Sequence, residues 1–444
     1  MSVLPNPVAC GRIVSAGSGL VTAAGLFAAS ALAFRDIRYG WWTVILFIIY
    51  PLALVLNRMA LYESPAGALY IWCLFLAMAL AKTARREIAY GYGLIAGAGI
   101  LNRASGFFAI YLLLPSLVIL GLRNSVGLRR VFSWVIWTAI VSGIAGLCYL
   151  VLLLSPSFPM ISVKNREFVY SIGELFRVPV AVRMVNTVRL TDWMVTYLTW
   201  PAILAIFSAF RISGFFRGKA VFLLWSLVPL SVLAFAGRTL YPRYIYFLSL
   251  PLLPLIAYSA GTAAAGLRRK SALILLMLLM IMPALYTDLK ILIDMPHAPI
   301  PQEDRYQYVN GWPAGGGIRE IMAFIRHESE TEKICVITEG TYGSLPTTAV
   351  ELYYFQNPNV IHKAVRQITP DIPDDIISLA ADMPLYLIVN RSQEDPAWPV
   401  ELVARYRKGS GTDFIRLYRV RPERYRHLTH SQIPFDSGGI SLYI

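Results

Sequence analysis

The chain has 444 residues, of which 57% are hydrophobic and only 15% charged. That balance excludes a water-soluble globular protein over most of its length, because soluble domains are poorer in apolar residues and richer in charge. The net charge of +14 invites a nucleic-acid partner, but the basic residues stand in short clusters between apolar runs. That is the pattern of membrane topology, so no nucleic acid is expected.

Residues 1–12 are polar and lack the features of a signal peptide. Ile13–Phe34 reads as a first span, rich in the small residues Gly, Ala and Ser that let helices approach closely in lipid. Trp41–Leu56 and Ala66–Ala81 follow, joined by the loop NRMALYESP (Asn57–Pro65). Tyr90–Leu101 and Gly106–Leu120 flank Asn102 and Arg103, and Val131–Leu154 comes next. A hydrophilic loop covers 155–192, its second half patterned as an amphipathic helix. It is expected either to cover a cavity or to serve as a plain linker. Val195–Phe210, Ala220–Ala236, Tyr244–Ala260 and Ser271–Tyr286 complete about ten apolar segments.

Orientation follows from the basic residues. Arg35 and Arg38, Lys82 to Arg86, Arg123 to Arg130, Arg211 to Lys219, and Arg268 to Lys270 fall on every second loop. The positive-inside rule puts that set in the cytoplasm. The other loops, both termini and everything after Asp288 are then outside. Four arginines break the bias there: Arg58, Arg103, Arg238 and Arg243. Each adjoins apolar sequence, so together they suggest an anionic ligand such as a lipid phosphate, which the planar guanidinium fork binds well. Snorkelling to headgroups is the competing explanation. Glu63 is read either as a solvated helix-start carboxylate or as a partner of these arginines. Arg58 lies five residues away, a separation that a turn can close.

From Pro296 the chain changes character. Helices are expected at Gly317–Glu328, Leu345–Phe355, Pro373–Ala381 and Pro399–Arg407, and strands at Lys333–Thr338, Leu385–Asn390 and Phe414–Val420. This alternation argues a small α/β sandwich. GWPAGGGIRE and TEGTYGSLP have glycines that invite a phosphate reading, but neither has dinucleotide or P-loop spacing. The fold class is thus mainly α: a polytopic helical membrane domain (1–290), a small α/β extracytoplasmic domain (291–425) and an irregular tail (426–444). Cys10, Cys73, Cys148 and Cys335 are scattered, and the first histidine is His297. No cofactor is expected, and no ligand set for a divalent metal is visible.

Several stretches resemble glycosyltransferase family 39, the C-type membrane enzymes that include protein O-mannosyltransferases and the aminoarabinose transferases of lipid A. They are GRIVSAGSGLVTAAGLFA, NRMALYESPAGALY, AGAGILNRASGFFAIYLLLPSL, LLWSLVPLSVLAFAGRTLYPRYIYFLSLPLLPLIA and, in the C-terminal part, DRYQYVNGWPAGGGIREI with CVITEGTYGSLP. The resemblance covers about residues 11–425 and rests on their order and spacing. It implies a multi-pass plasma-membrane glycosyltransferase that moves a sugar from a polyprenyl-phosphate donor to a lipid, glycan or protein acceptor on the outer face. Arg58, Arg103, Arg238, Tyr241 and Arg243 then become candidates for the lipid-phosphate side. Glu63 is the catalytic candidate, although the match makes it a secondary residue. Such enzymes begin with a further span and an outer loop carrying the catalytic acid. Here the chain opens at what looks like the second span, so an upstream in-frame span and acidic loop are expected. The alternatives are a non-catalytic or truncated relative that binds lipid-linked saccharide, and a transporter for such a saccharide. The transporter predicts internal repeats that are not seen.

The alternating basic loops generate a test. Cysteines introduced at 38, 85 and 217 should be shielded from a membrane-impermeant thiol reagent in intact cells, and one at 312 should react. Reversal of that pattern would overturn the orientation.

Overall fold

The computed structural model describes residues 6–121, 128–156, 158–267, 270–340, 343–380 and 382–421. The expected tail at 426–444 and the basic residues Arg123, Arg268 and Arg269 lie outside them. The chain divides into two compact units at Pro301 and Gln302.

The first unit is helical. Its helices are α1 (Pro7–Phe34), α2 (Ile37–Ile48), α3 (Pro51–Leu56), α4 (Glu63–Thr83), α5 (Arg86–Asn102), α6 (Phe107–Gly121), α7 (Leu128–Leu150), α8 (Phe158–Phe168), α9 (Ile172–Leu175), α10 (Val180–Leu198), α11 (Trp200–Arg211), α12 (Phe216–Ala236), α13 (Tyr246–Ser249), α14 (Leu253–Gly266) and α15 (Lys270–Ile293). Among the described residues seven helical stretches are long and apolar enough to cross a membrane, and a bent pair makes an eighth. The outward faces are apolar too: Leu275, Leu278, Leu279 and Met282 on α15 are all about half exposed. So continuous an apolar surface suits hydrocarbon, not water. The buried face of α1 consists largely of small residues, among them Ser15, Gly19, Thr22, Gly25 and Ala29. It packs on α4, where a side chain at Gly25 would press on Ile71 and Trp72.

Each apolar segment of the sequence falls on helix, but two are not continuous. Trp41–Leu56 breaks at Tyr50 before Pro51, and Val195–Phe210 breaks at Thr199. There α10 and α11 bend by 99°. Pro201 has no N–H to continue the ladder, and its ring would clash with the carbonyl four residues back; Thr199 takes φ 71° and Pro201 sits in the first turn of the new helix. The second half of the 155–192 stretch is helical as expected, in α9 and the start of α10, but its first half, expected as loop, also holds a helix, α8. The local signals of α9 were present: Ser171 and Glu174 form a reciprocal capping box at its start.

The second unit holds α16 (Gln302–Arg305), α17 (Ile318–Thr331), α18 (Leu345–Tyr354) and α19 (Asp374–Leu379). Its strands are β1 (Ile334–Glu339), β2 (Val360–Val365), β3 (Leu385–Val389), β4 (Val400–Arg407) and β5 (Phe414–Val420), in sheet order β2-β1-β3-β5-β4. β2, β1 and β3 run parallel; β5 and β4 are antiparallel. Successive residues of β1 feed opposite cores. Ile334 and Val336 meet α17 and α18 through Ile321, Ile325 and Val350, while Cys335 and Ile337 meet Ile376 and Trp398. Burial on both faces explains why β1 and β3 are continuous apolar runs.

Pro399–Arg407, expected as a helix, is strand β4. VELVARYR is rich in helix formers, but the segment pairs along β5 with a register shift between Leu402 and Ala404. Edge position leaves most of it exposed, so its sequence lacks the apolar alternation of a buried strand. β2 went unpredicted for a similar reason. It is another edge strand, only partly buried, and carries His362 and Lys363.

One close approach positions the site described next. At Gly106 an added Cβ would lie 2.3 Å from the backbone of Gly99, so the turn from α5 to α6 closes only with glycine there. Gly106→Ala should lower stability by about 1–3 kcal/mol, read by thermal unfolding in detergent. Gly99→Ala, whose Cβ would find its nearest neighbour at 3.7 Å, should change little.

Candidate functional site

The loop 57–65 is tied down by its own polar residues. Ser64 Oγ donates to Asn57 Oδ1 at 2.7 Å, and the Tyr246 hydroxyl donates to the same oxygen at 3.3 Å. Ser15 Oγ donates to the Leu61 carbonyl, and Asn102 Nδ2 donates to the Tyr62 carbonyl. These bonds start α4 at Glu63 and bring the end of α5 beside it.

Glu63 is not solvated. It is 2% exposed, and two guanidiniums converge on one of its oxygens. Arg103 Nη1 lies 3.4 Å and Arg243 Nε 3.2 Å from Oε1. The other oxygen, Oε2, is buried without a hydrogen-bond partner among the described residues. Arg103 follows α5 in extended conformation, φ −164°, where the helix ends. Its guanidinium carbon is 4.4 Å from the Tyr244 ring centre and 5.1 Å from that of Tyr62. Arg243 sits 4.7 Å over Tyr241 and 5.8 Å from Tyr244. Aromatic faces hold partly desolvated cations by quadrupole attraction. One carboxylate against two guanidiniums leaves one net positive charge.

Beside this cluster lies a cavity of about 360 Å³, within the size range of ligand pockets. Arg103, Tyr62, Tyr244 and Lys164 line its polar part; Phe108, Phe168, Leu233, Leu240 and Phe247 line the apolar part. Within 155–192, Lys164, Asn165, Phe168 and Val169 form part of the cavity's wall, so this part of the stretch is not a plain linker. That wall is stitched on by the backbone: Tyr170 N–H donates to the Ala236 carbonyl at 2.9 Å and Arg238 N–H to the Phe168 carbonyl at 2.8 Å.

Of the arginines singled out in the sequence, Arg103 and Arg243 come together and the others do not join them. Arg238 is paired with Glu174 at 2.6 Å and lies 4.9 Å over Tyr170. Glu174 is held well below the usual carboxylate range, at about 2, by the Ser171 N–H and hydroxyl first and Arg238 next. Arg58 is exposed, and among the described residues its side chain has no ion pair. The expected turn uniting Arg58 with Glu63 does not form, because α4 begins at Glu63 and draws its carboxylate under Arg103 and Arg243. Sequence reasoning missed Tyr62, Tyr244 and Lys164. The first two carry a signal, since they adjoin Glu63 and Arg243 in the quoted stretches; Lys164 carries none.

No protein-family model matches the chain, and no curated protein does. Solved structures do. The fold is that of the C-type membrane glycosyltransferases, and the chain is a multi-pass membrane protein. It is similar to ArnT from Cupriavidus metallidurans in the apo state, with TM-score 0.54 and 13% identity over 92% of this chain and 83% of that one. ArnT bound to undecaprenyl phosphate matches with TM-score 0.53 over the same shares.

Glu63→Ala should leave two arginines uncompensated and cost about 3–5 kcal/mol, seen as a fall in Tm. Glu63→Gln should cost less, and the double variant Glu63→Ala with Arg103→Ala should recover part of the loss. A Glu63→Ala protein that melts with the wild type would mean that the cluster contributes nothing to folding.

Proposed function

We propose that this chain is an integral-membrane glycosyltransferase that moves a sugar from a polyprenyl-phosphate donor to an acceptor on the outer face. One observation carries the reading: Arg103, charge-paired behind and flanked by aromatic rings, opens onto a cavity whose remaining walls are largely apolar. A polyprenyl phosphate has the same duality, an anionic head on a hydrocarbon chain. Shared fold with ArnT, which has been solved with undecaprenyl phosphate bound, supports it.

In the reaction the acceptor oxygen or nitrogen attacks the anomeric carbon, and the bond from that carbon to the phosphate oxygen breaks. Negative charge accumulates on the departing phosphate. A guanidinium already oriented there stabilises that charge without reorganising; Lys164 lines the same cavity, its ammonium paired with Glu167 at 3.2 Å. Glu63 acts here by fixing the directions of Arg103 and Arg243. No carboxylate lines the cavity among the described residues, so the acceptor's proton leaves to the departing phosphate or to solvent. That observation favours a second reading, a non-catalytic relative that binds the lipid-linked saccharide.

Purified protein in lipid nanodiscs, given undecaprenyl-phosphate-linked hexoses and pentoses, separates the two. Transfer should be detectable with one donor, and Arg103→Ala should reduce it by roughly 10²–10³-fold while weakening carrier-lipid binding. Arg58→Ala should leave both nearly unchanged. Carrier binding that depends on Arg103 but gives no turnover with any donor would select the second reading. Binding indifferent to Arg103→Ala would remove both.

A further inference from the structure

A second charged cavity lies at the other end of α4. Glu63 and Lys82 are 19 residues apart on that helix, about 28 Å at 1.5 Å per residue, so the two ends are separated by roughly the thickness of a bilayer's hydrocarbon core. This cavity has a volume of about 700 Å³, and its lining includes Arg35, Lys82, Arg130 and Arg217 but no carboxylate among the described residues. None of the four is ion-paired among the described residues. Lys82 Nζ spends one donor on the Leu32 carbonyl at 3.1 Å and keeps two.

Topology accounts for basic residues at this end of the bundle, but not for where two of them stand. Arg130 is in the first turn of α7 and Arg217 in the first turn of α12, and neither turn contains an acidic residue. A helix N-terminus is already the positive end of its dipole, so a cation there is unfavourable unless an anion is shared. The start of α12 also has no side-chain cap, and its first residues, Phe216 to Gly218, line the cavity. Their N–H groups add donors of the kind that bind phosphate. At Phe215 the backbone is left-handed, φ 52°, immediately before the helical Phe216, an alternation that turns successive N–H groups to one side. Phe216, 68% exposed, and Phe215, 38% exposed, offer apolar surface at the same place.

We infer that this cavity is a phosphate-anion site separate from the Glu63 cluster, and that Arg130 and Arg217 with the start of α12 form its centre. The ligand class is a phosphate ester. The exposed phenylalanines favour the headgroup of an anionic phospholipid over a soluble phosphate. The inference does not depend on the glycosyltransferase reading.

The test uses the full-length chain reconstituted in nanodiscs of phosphatidylcholine, with phosphatidylglycerol replacing a third of the lipid, or with inorganic phosphate added instead. Thermal unfolding is read for the wild type, for Arg130→Gln with Arg217→Gln, and for Arg130→Lys with Arg217→Lys. Phosphatidylglycerol should raise the wild-type Tm by several degrees. The glutamine pair should lose that shift while melting no lower than wild type in pure phosphatidylcholine, because it removes two cations from positive helix ends. The lysine pair should retain part of the shift. A response to inorganic phosphate alone, lost in the glutamine pair, keeps the site and assigns it to a soluble phosphate. A glutamine pair that keeps the full phosphatidylglycerol shift, or that fails to fold without anion, overturns the inference.

Discussion

The geometry of the first unit turns on one buried carboxylate. Glu63 gathers Arg103 from the end of α5 and Arg243 from the segment before α13 onto a single oxygen. Burying three charges costs desolvation energy that their mutual attraction rarely repays in full, so such a cluster is poor evidence of stabilisation. Its effect is geometric. Three chain segments, at 62–63, 103 and 241–244, must meet within hydrogen-bond distance or leave a charge stranded. The Asn57 bonds, the glycine closure between α5 and α6 and the two tyrosine faces over Arg103 all hold that meeting point in place.

Much of this was legible in the sequence, and the failures have a common cause. Apolar length locates a helix because hydrocarbon demands it, so every expected span lies on helical structure. Where tertiary pairing overrides local preference, the sequence is silent. β4 is composed of helix-forming residues and exists because β5 supplies its hydrogen bonds. The site shows the same division. That charged residues at this surface mattered could be read from Arg103, Arg243 and Glu63 standing against apolar runs. Which cation pairs with which anion could not, because Glu63 has Arg58 five residues away and Arg103 forty away in the chain and takes the distant one. Glu174 likewise claims Arg238 across 64 residues.

The contrast among the arginines bears on the competing explanation, headgroup anchoring. An anchoring side chain extends toward water and lipid phosphates and keeps its charge solvated. Arg58 behaves in that way. Arg103 and Arg243 do the reverse: their side chains are 17% and 15% exposed and fold back onto a carboxylate and onto aromatic faces. Folding a guanidinium inward gives up hydration that an anchor would retain. What it gains is direction, since a cation fixed from behind by Glu63 and from the sides by Tyr62 and Tyr244 presents its remaining donors at a set angle to the cavity. Such fixed orientation is of little use to an anchor. It is what stabilising charge on a leaving phosphate requires, because donors that must first rotate into place forfeit much of their effect. The inward fold of Arg103, the one of the two that lines the cavity, therefore weighs more for the proposed chemistry than the number of cations at this surface.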